Sequence, residues 1–467
     1  MNHRFAITPQ GVTYTARKSA QAAEDEIAAT GKLVGLSFGQ QADPCQSLFS
    51  RYFTMFRRLG GWEEGDPRVH RRPDGLNVQV TLSPDLPGFP EGLIPERLRK
   101  DAGERPRYLV AKTDAALLQL LDPVTLDPLA ITTYRALSPA LDGPLAAAHG
   151  CTDPLTGAYH NFVLSPGPQP VYKVFRTSPA GEVTVLAEIR GAPLAYVHSL
   201  AMTARYVVLC VWASELTSGG LSMLYHGNFA QSIRPTASHP STFYVIDRHA
   251  GGLLAQYTTA PFFAFHYMNA YDDPASGDVV LDLPVYPDAG IIRLLYVDEL
   301  RRGFPKESLG CARRYRLPDP AQPAAGGKKQ REREAIVDWT SADIYLELPT
   351  VRPDVAHQPY RYCYAMSKTR DSSPRFADSI VKIDVSRAPP RALYWHGSDG
   401  QTPGEPIFVS RPGGTEEDDG VVLTVVLDGL RRRSFLLVLD GRTMQEIARA
   451  EAPEGKWVGA GFHGAFV

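Results

Sequence analysis

Cysteine is scarce in this sequence, and its pattern is uninformative about bridges or metals. The 467 residues include five cysteines, an odd and scattered set with no Cys-x-x-Cys pair. Neither a disulfide framework nor a thiolate zinc site is indicated by such an arrangement. We therefore expect a cytosolic protein in a reducing environment.

An excess of one charge is also missing. Lysine and arginine total 49 and aspartate and glutamate total 51, which gives a formal net charge of -2. Such a balance offers no electrostatic attraction for a phosphate backbone, so nucleic acid is not expected as a partner.

Long apolar runs are absent too. No stretch approaches the roughly 18 apolar residues needed to cross a bilayer. The opening segment, MNHRFAITPQGVTYTARK, lacks the apolar centre of a signal peptide. We expect membrane contact, if there is any, to be peripheral.

Turn residues are abundant, whereas long amphipathic helices are almost lacking. The 40 glycines and 39 prolines separate short alternating segments that are typical of all-β folds. Four times an apolar strand ends in Asp and is followed by a turn and a second strand, at 120–130, 244–257, 381–395 and 437–450. Irregularly spaced hairpins over several hundred residues favour a propeller over a sandwich, because blades add radially. We predict one β-propeller domain spanning 1–467.

Two segments depart from the hairpin pattern. Segment 45–62, CQSLFSRYFTMFRRLGGW, has the apolar spacing of an amphipathic helix with arginines among it. It either caps the β-core or contacts a membrane surface. Segment 319–334, DPAQPAAGGKKQRERE, is polar and rich in glycine and proline, which predicts a flexible loop.

The twelve histidines divide into two sets by their neighbours. Eight lie beside turn, charged or polar residues, where we expect solvated rings: His3, His70, His160, His226, His239, His249, His357 and His396. Four lie in or at the edge of apolar segments: His149, His198, His266 and His463. Each of these four is either a core histidine bonded to a carbonyl or a metal ligand.

The fold prediction favours the metal-ligand interpretation for these four histidines. The innermost strands of different propeller blades converge on one axis, so residues far apart in sequence can meet there. An all-imidazole set suits Fe, Cu, Zn or Ni rather than Ca or Mg.

A ligating histidine normally donates its other N–H to a carboxylate or carbonyl. Three carboxylates stand in apolar or unusual contexts: Asp114 in YLVAKTDAALLQL, Glu347 in IYLELPTV and Glu405 in GEPIFV. Taken singly, each of them also suits a turn cap or a surface charge. Together they are candidate partners for the histidines.

Several segments together resemble the carotenoid cleavage oxygenase family of non-haem iron enzymes, most closely its fungal, torulene-type branch. They span nearly the whole chain: DPCQSLFSRYFTMF (43–56), TDAALLQLLDPVTLDP (113–128), AAAHGCTDPLTGAYHNF (146–162), VHSLAMTARYVV (197–208), FAFHYMNAYDD (263–273), YLELPTV (345–351), GEPIFVSRPGGTEEDDGVVLTVVLD (404–428) and the terminal GFHGAFV. The resemblance implies a seven-bladed propeller with a helical and loop dome.

The resemblance also implies a site. Fe(II) would be held by the four histidines named above: His149, His198, His266 and His463. The outer carboxylates would pair as Asp114 with His198, Glu347 with His266 and Glu405 with His463. The family usually has Glu at position 114 and Pro at position 150, where this chain has Asp114 and Gly150. The chain begins at a segment that lies some way into family members, so we expect the first propeller strands to be missing.

The activity implied by the resemblance is O2-dependent cleavage of a C=C bond in a carotenoid or apocarotenoid, giving retinal-type aldehydes. The alternative within the family is cleavage of a stilbene such as resveratrol. Similar stilbene-cleaving enzymes have Lys directly before the outer carboxylate, whereas this chain has Thr113 there and Lys112 one residue earlier. An alternative of another class is an inactive propeller scaffold.

Overall fold

The computed structural model describes residues 1–31, 72–100, 106–226, 228–234, 239–322, 333–371, 375–459 and 461–467. Regular structure in these parts is mostly antiparallel β-sheet, as the sequence predicted. The predicted amphipathic segment 45–62 lies outside the described residues.

The described residues contain six successive four-stranded units, which we call blades 1 to 6. In two blades the innermost strand is interrupted, and one long strand serves two blades. Blades 1 to 3 are formed as follows: blade 1 by β3 (Thr81–Pro84), β4 (Leu109–Lys112), β5 (Leu117–Leu121) and β6 (Pro128–Thr133); blade 2 by β7 (Leu145–Ala146) with β8 (Cys151–Thr152), β9 (Tyr159–Ser165), β10 (Val171–Thr177) and β11 (Val183–Arg190); blade 3 by β12 (Ala201–Met202), β13 (Tyr206–Val211), β14 (Ser241–Asp247) and β15 (Leu253–Thr259).

Blades 4 and 5 share one strand. Blade 4 is formed by β16 (Asn269–Asp272), β17 (Val279–Val285), β18 (Gly310–Leu317) and the first half of β20 (Ile336–Thr350); blade 5 by the second half of β20, β21 (Tyr362–Ser367), β22 (Ser379–Asp384) and β23 (Arg391–His396). Blade 6 is formed by β24 (Gln401–Pro403) with β25 (Ile407–Ser410), β26 (Gly420–Asp428), β27 (Arg433–Asp440) and β28 (Glu446–Glu451).

Two further pairings complete the described sheets. The N-terminal strands β1 (Asn2–Thr8) and β2 (Gly11–Arg17) form a separate antiparallel ribbon. Strand β19 (Arg333–Glu334) joins the outer edge of blade 3 in parallel with β15. The predicted loop 319–334 therefore ends in a short strand, and residues 323–332 of that loop lie outside the described residues.

The four predicted Asp-led hairpins are confirmed. They are β5–β6, β14–β15, β22–β23 and β27–β28, the outer pairs of blades 1, 3, 5 and 6. In each turn the Asp carboxylate accepts backbone N–H bonds two or three residues ahead. The acceptors are Asp122, Asp247, Asp384 and Asp440. The side chain thus closes the turn that its position in the sequence predicted.

Helices occur mainly in the connections that follow the second strand of a blade. In blade 3 the connection contains Leu221–His226 and Phe229–Ser232, and in blade 4 it contains Ile291–Leu294 and Val297–Arg302. Because strands alternate in direction, these connections emerge at the blade end where the innermost strand begins. Two other helices, Gln21–Thr30 and Glu96–Arg99, lie in the N-terminal part. None of the described helices has the length and apolar character to cross a bilayer.

The largest core lies in blades 2 to 4, where aromatic side chains fill the space between sheets. Trp212, Phe243, Phe262 and Tyr315 are fully buried there, and the rings of Phe262 and Tyr315 stack with centroids 5.2 Å apart. Such packing fixes the innermost strands of these blades against one another, and three of the four candidate histidines lie directly beside those strands in the chain.

Candidate metal centre

The structure brings the four predicted histidines together. His149 lies between β7 and β8, His198 before β12, His266 before β16, and His463 in the C-terminal segment. One ring nitrogen of each lies within 4.8 Å of the others. Four residues on four different chain segments therefore meet at one point, as the convergence of inner strands predicted.

Backbone hydrogen bonds hold two of these segments side by side. The N–H of His149 donates to the carbonyl of His198 (3.1 Å), and the N–H of Leu200 donates to the carbonyl of His149 (3.2 Å). This short parallel bridge joins the inner edges of blades 2 and 3. The backbone alone therefore fixes the His149 and His198 rings relative to each other.

Two observations fit a metal ion among these rings. Nε2 of His149 lies 3.1 Å from Nε2 of His463. Two nitrogens that each bind one ion at about 2.1 Å and at right angles lie about 3 Å apart. In addition, Nε2 of His266 is buried and has no hydrogen-bond partner among the described residues. A buried ring nitrogen without a partner is costly unless a ligand completes it.

Asp114 orients His198. It lies in the turn between β4 and β5, and its Oδ1 accepts the Nδ1–H of His198 at 2.7 Å. The hydroxyl of Tyr196 donates to the other oxygen, Oδ2, at 3.0 Å and lies 2.9 Å from the same Nδ1. The shorter Asp therefore reaches the histidine, and a buried phenol completes its hydrogen bonding.

Glu347 orients His266 in the same way. Its Oε2 accepts the Nδ1–H of His266 at 2.7 Å, and Oε1 accepts the hydroxyl of Tyr286 at 2.6 Å. The register of β20 shifts after Glu347, and Leu348 adopts a positive φ of 53°. This turn of the backbone aims the Leu348 N–H at Oε2 (2.9 Å). Burial alone would raise the pKa of Glu347, but the bonds from His266, Tyr286 and Leu348 lower it below its usual value.

Glu405 orients His463 where the inner strand of blade 6 is broken between β24 and β25. Its Oε1 accepts the Nδ1–H of His463 at 3.0 Å, and Oε2 accepts the backbone N–H of Gly464 at 2.8 Å. The C-terminal segment runs very close to this strand, since a Cβ on Gly404 would lie 2.7 Å from the carbonyl oxygen of Gly461. Glycine at position 404 therefore permits the approach.

Two of the rings, those of His149 and His266, are favoured in the neutral form that a metal ligand requires. Burial lowers the pKa of His149 well below its usual value, with further lowering by His463, His266 and His198. Burial also lowers the pKa of His266, against the opposing effect of Glu347. Among the described residues, His149 is the one member without a carboxylate partner. The arrangement offers four ring nitrogens to one ion.

Two tyrosines that bond the outer carboxylates were not predicted from the sequence, and two histidines expected to be solvated are buried. Tyr196 lies two residues before His198, a strand spacing that puts both on one face and that would have marked it. No local pattern marks Tyr286, which reaches Glu347 from the end of β17. The expectation of solvated rings is wrong for His160, which is fully buried with both nitrogens unpaired, and for His357, which is mostly buried and bonds the Met202 carbonyl.

Comparisons with known proteins extend over the whole chain. Residues 1–467 match the Retinal pigment epithelial membrane protein family. A torulene dioxygenase of Fusarium fujikuroi is 34% identical over 99% of this chain and 82% of its own length. A carotenoid dioxygenase of Neurospora crassa is 33% identical over 100% of this chain and 81% of its own length.

Solved structures show the same fold. A variant of an apocarotenoid oxygenase from Synechocystis matches with a TM-score of 0.71 at 18% identity, over 99% of this chain and 86% of that one. A cobalt-substituted form of the Synechocystis enzyme matches with a TM-score of 0.69 at 19% identity, over 100% of this chain and 86% of that one. That fold is a seven-bladed propeller, as predicted for this chain.

Proposed function

Because the chain belongs to the Retinal pigment epithelial membrane protein family of carotenoid oxygenases, we propose that it cleaves a C=C bond of a carotenoid or apocarotenoid with O2. The products would be two carbonyl compounds, among them retinal-type aldehydes. The observation that carries this proposal is the convergence of four histidines, three of them backed by carboxylates.

In this proposal His149, His198, His266 and His463 hold Fe(II). When bound, the ion supplies the redox chemistry that ground-state O2 needs to react with a closed-shell alkene. Asp114, Glu347 and Glu405 each keep the proton of their histidine on Nδ1, which leaves the Nε2 lone pair free for the ion. The family relationship supports iron, and the cobalt-substituted form of the Synechocystis enzyme supports a site that accepts a transition metal.

Aromatic side chains around the histidines support an apolar substrate. Phe265 packs against His198 and His266, with ring centroids 5.8 and 6.0 Å away. A row of three further rings leads to the C-terminal segment: Phe304 lies 4.9 Å from Phe376, which lies 6.4 Å from Phe462 beside His463. These faces would orient a flat polyene and keep water from the reacting bond.

The stilbene alternative depends on a cation beside the outer carboxylate. Position 113 is Thr, and the ammonium of Lys112 lies against the Tyr159 ring, 4.9 Å from its centroid. No described contact joins that ammonium to Asp114. This placement favours the carotenoid class.

The test is to load the protein with iron and measure O2 consumption and products with an apocarotenal and, separately, with resveratrol. We expect about one iron per chain and cleavage of the apocarotenal. Cleavage of resveratrol alone would contradict the substrate class. A folded preparation that binds no iron would instead support the scaffold.

A water-insoluble substrate must be taken from a membrane or a carrier, so we also propose peripheral contact with lipid. The segment that suggests this contact, 45–62, lies outside the described residues, so the contact stays a prediction. Co-sedimentation with phospholipid vesicles, comparing the protein with a form in which Arg57 and Arg58 are changed to Glu, checks it.

A further inference from the structure

Lys112 is a buried lysine without a counter-charge. Three lysines of the described chain are buried: Lys112, Lys368 and Lys382, at 3%, 2% and 6% exposure. The ammonium of Lys368 donates to the carbonyl of Arg375, and that of Lys382 donates to Asp418. The ammonium of Lys112 has no hydrogen-bond or ion-pair partner among the described residues. Since an unpaired buried charge is expensive, its position needs an explanation.

The surroundings of Lys112 connect it to the histidine cluster. Its ammonium lies on the face of Tyr159, whose ring packs so tightly on Gly150 that a Cβ there would lie 2.3 Å from the phenol oxygen. Across the sheet, Lys112 pairs with Thr81, whose hydroxyl donates to the carbonyl of Ala148. The side chain thus lies against the segment that carries His149, and it stands two residues before Asp114.

The amine is activated by this environment. Burial lowers the pKa of Lys112 to about 8, while a nearby Cys151 acts weakly in the opposite direction. At pH 7 the free-amine fraction is then roughly 300 times that of a lysine with an ordinary pKa. A buried lysine of lowered pKa is the kind that forms imines with carbonyl compounds.

We propose that Lys112 captures a polyene aldehyde as an imine. The inference rests on the proposed function, which makes aldehydes at the neighbouring histidines. The lysine nitrogen adds to the aldehyde carbon, the C=O bond is replaced by C=N, and the oxygen leaves as water with the two amine protons. No oxidant or reductant is needed. Protonation of the imine restores the cation on the face of Tyr159.

The imine can be trapped irreversibly by reduction with cyanoborohydride. All-trans-retinal serves as the aldehyde probe and is added to the metal-free full-length protein, so that trapping does not depend on cleavage. Peptide mass spectrometry locates the adduct, and absorption shows the red shift of a protonated polyene imine. We expect one dominant adduct on Lys112 whose yield rises between pH 7 and pH 9.

Matched variants decide the assignment. Lys112→Met and Lys112→Arg both lack the nucleophile while keeping similar length, so each should lose the dominant adduct and the red shift. Lys368→Met and Lys382→Met remove buried lysines that have partners, and they should leave both signals unchanged. Adducts spread over surface lysines, or equal trapping in the Lys112 variants, would overturn the inference.

The outcomes for the two proposals are separable. Cleavage of an apocarotenal by a protein that traps no retinal at Lys112 would overturn the inference and leave the proposed function standing. Trapping at Lys112 without any cleavage by the iron-loaded protein would overturn the proposed function.

Discussion

Two groups of buried histidines lie in the propeller. The first is the four-histidine cluster of His149, His198, His266 and His463. The second, which we call the buried pair, is His160 with His357. The His357 ring bonds the carbonyl of Met202, four residues after His198. His160 lies on β9, which pairs with β8, so the pair lies beside the inner strands of blades 2 and 3.

The two groups differ in their partners rather than in burial. Three members of the four-histidine cluster donate to carboxylates at 2.7 to 3.0 Å. The carboxylate nearest the buried pair, Asp153, is instead engaged by Arg248. Burial alone therefore does not identify a ligand. The cluster is distinguished by ring nitrogens that converge on a shared point, three of them in rings whose other nitrogen bonds a carboxylate.

The largest expected effect comes from His266→Ala. We predict that iron affinity falls more than about 100-fold, beyond the cost of losing an outer partner, and that activity is lost. The change also removes one of the three hydrogen bonds to the buried Glu347 carboxylate, which should lower the free energy of unfolding by about 1–3 kcal/mol. Metal analysis per folded chain and chemical denaturation measure the two effects.

His160→Ala is the matched control for this change, because it removes an equally large ring from the buried pair. It should keep iron near one per chain, even though it leaves a cavity. Iron and activity retained in His266→Ala, or iron lost in His160→Ala, would break the distinction between the two groups.

The sequence could predict this distinction only in part. Apolar flanks selected His149, His198, His266 and His463, and the structure brings these four rings together, although the neighbours of His463 in the C-terminal segment are exposed. The same criterion failed for His160, since its polar neighbour Asn161 is itself buried and bonded to Tyr134 and Tyr159. Flanking polarity reports exposure only where polar neighbours reach water.

Contacts between distant segments were beyond local patterns. Glu347 and Tyr286 are 61 residues apart, and their hydrogen bond depends on how blades 4 and 5 share strand β20. The Asp-led turns, in contrast, could be predicted because donor and acceptor lie within three residues. Only the family resemblance predicted which carboxylate pairs with which histidine. In the structure each pair is joined by a hydrogen bond of 2.7 to 3.0 Å.

A smaller effect is expected from Glu347→Gln. The amide can still accept the Nδ1–H of His266 but carries no charge, so the ring becomes a weaker base. We predict iron affinity about 10- to 100-fold lower, measured by competition with a chelator. Glu417→Gln is the control, because Glu417 accepts backbone N–H bonds from Arg361 and Tyr362 and has no described contact with the four-histidine cluster. Unchanged affinity in Glu347→Gln would show that the carboxylate only positions its histidine.

The smallest effect concerns the buried pair and appears only in acid. Burial lowers the pKa of His357 to about 4, with Arg248 lowering it and the Met202 carbonyl and Asp153 opposing. Between pH 6.5 and pH 4 the unfolded ring binds a proton that the folded ring refuses. Stability is therefore lost as the pH falls through this window, by up to about 3 kcal/mol for this group.

His357→Gln isolates that contribution, since the amide can keep a bond to the Met202 carbonyl but does not titrate in this range. Denaturation of the metal-free protein at pH 7 should give similar free energies of unfolding for the two proteins. At pH 4.5 the variant should have lost less of its free energy of unfolding than the unchanged protein. Between pH 6.5 and pH 4 the difference between the two should grow by up to about 1.4 kcal/mol per pH unit, the slope expected for one proton. Parallel curves from pH 7 to pH 4 would mean that His357 titrates with the same pKa in the folded and the unfolded chain. The buried pair would then resemble solvated histidines, and the comparison with the four-histidine cluster would no longer be one between two buried groups.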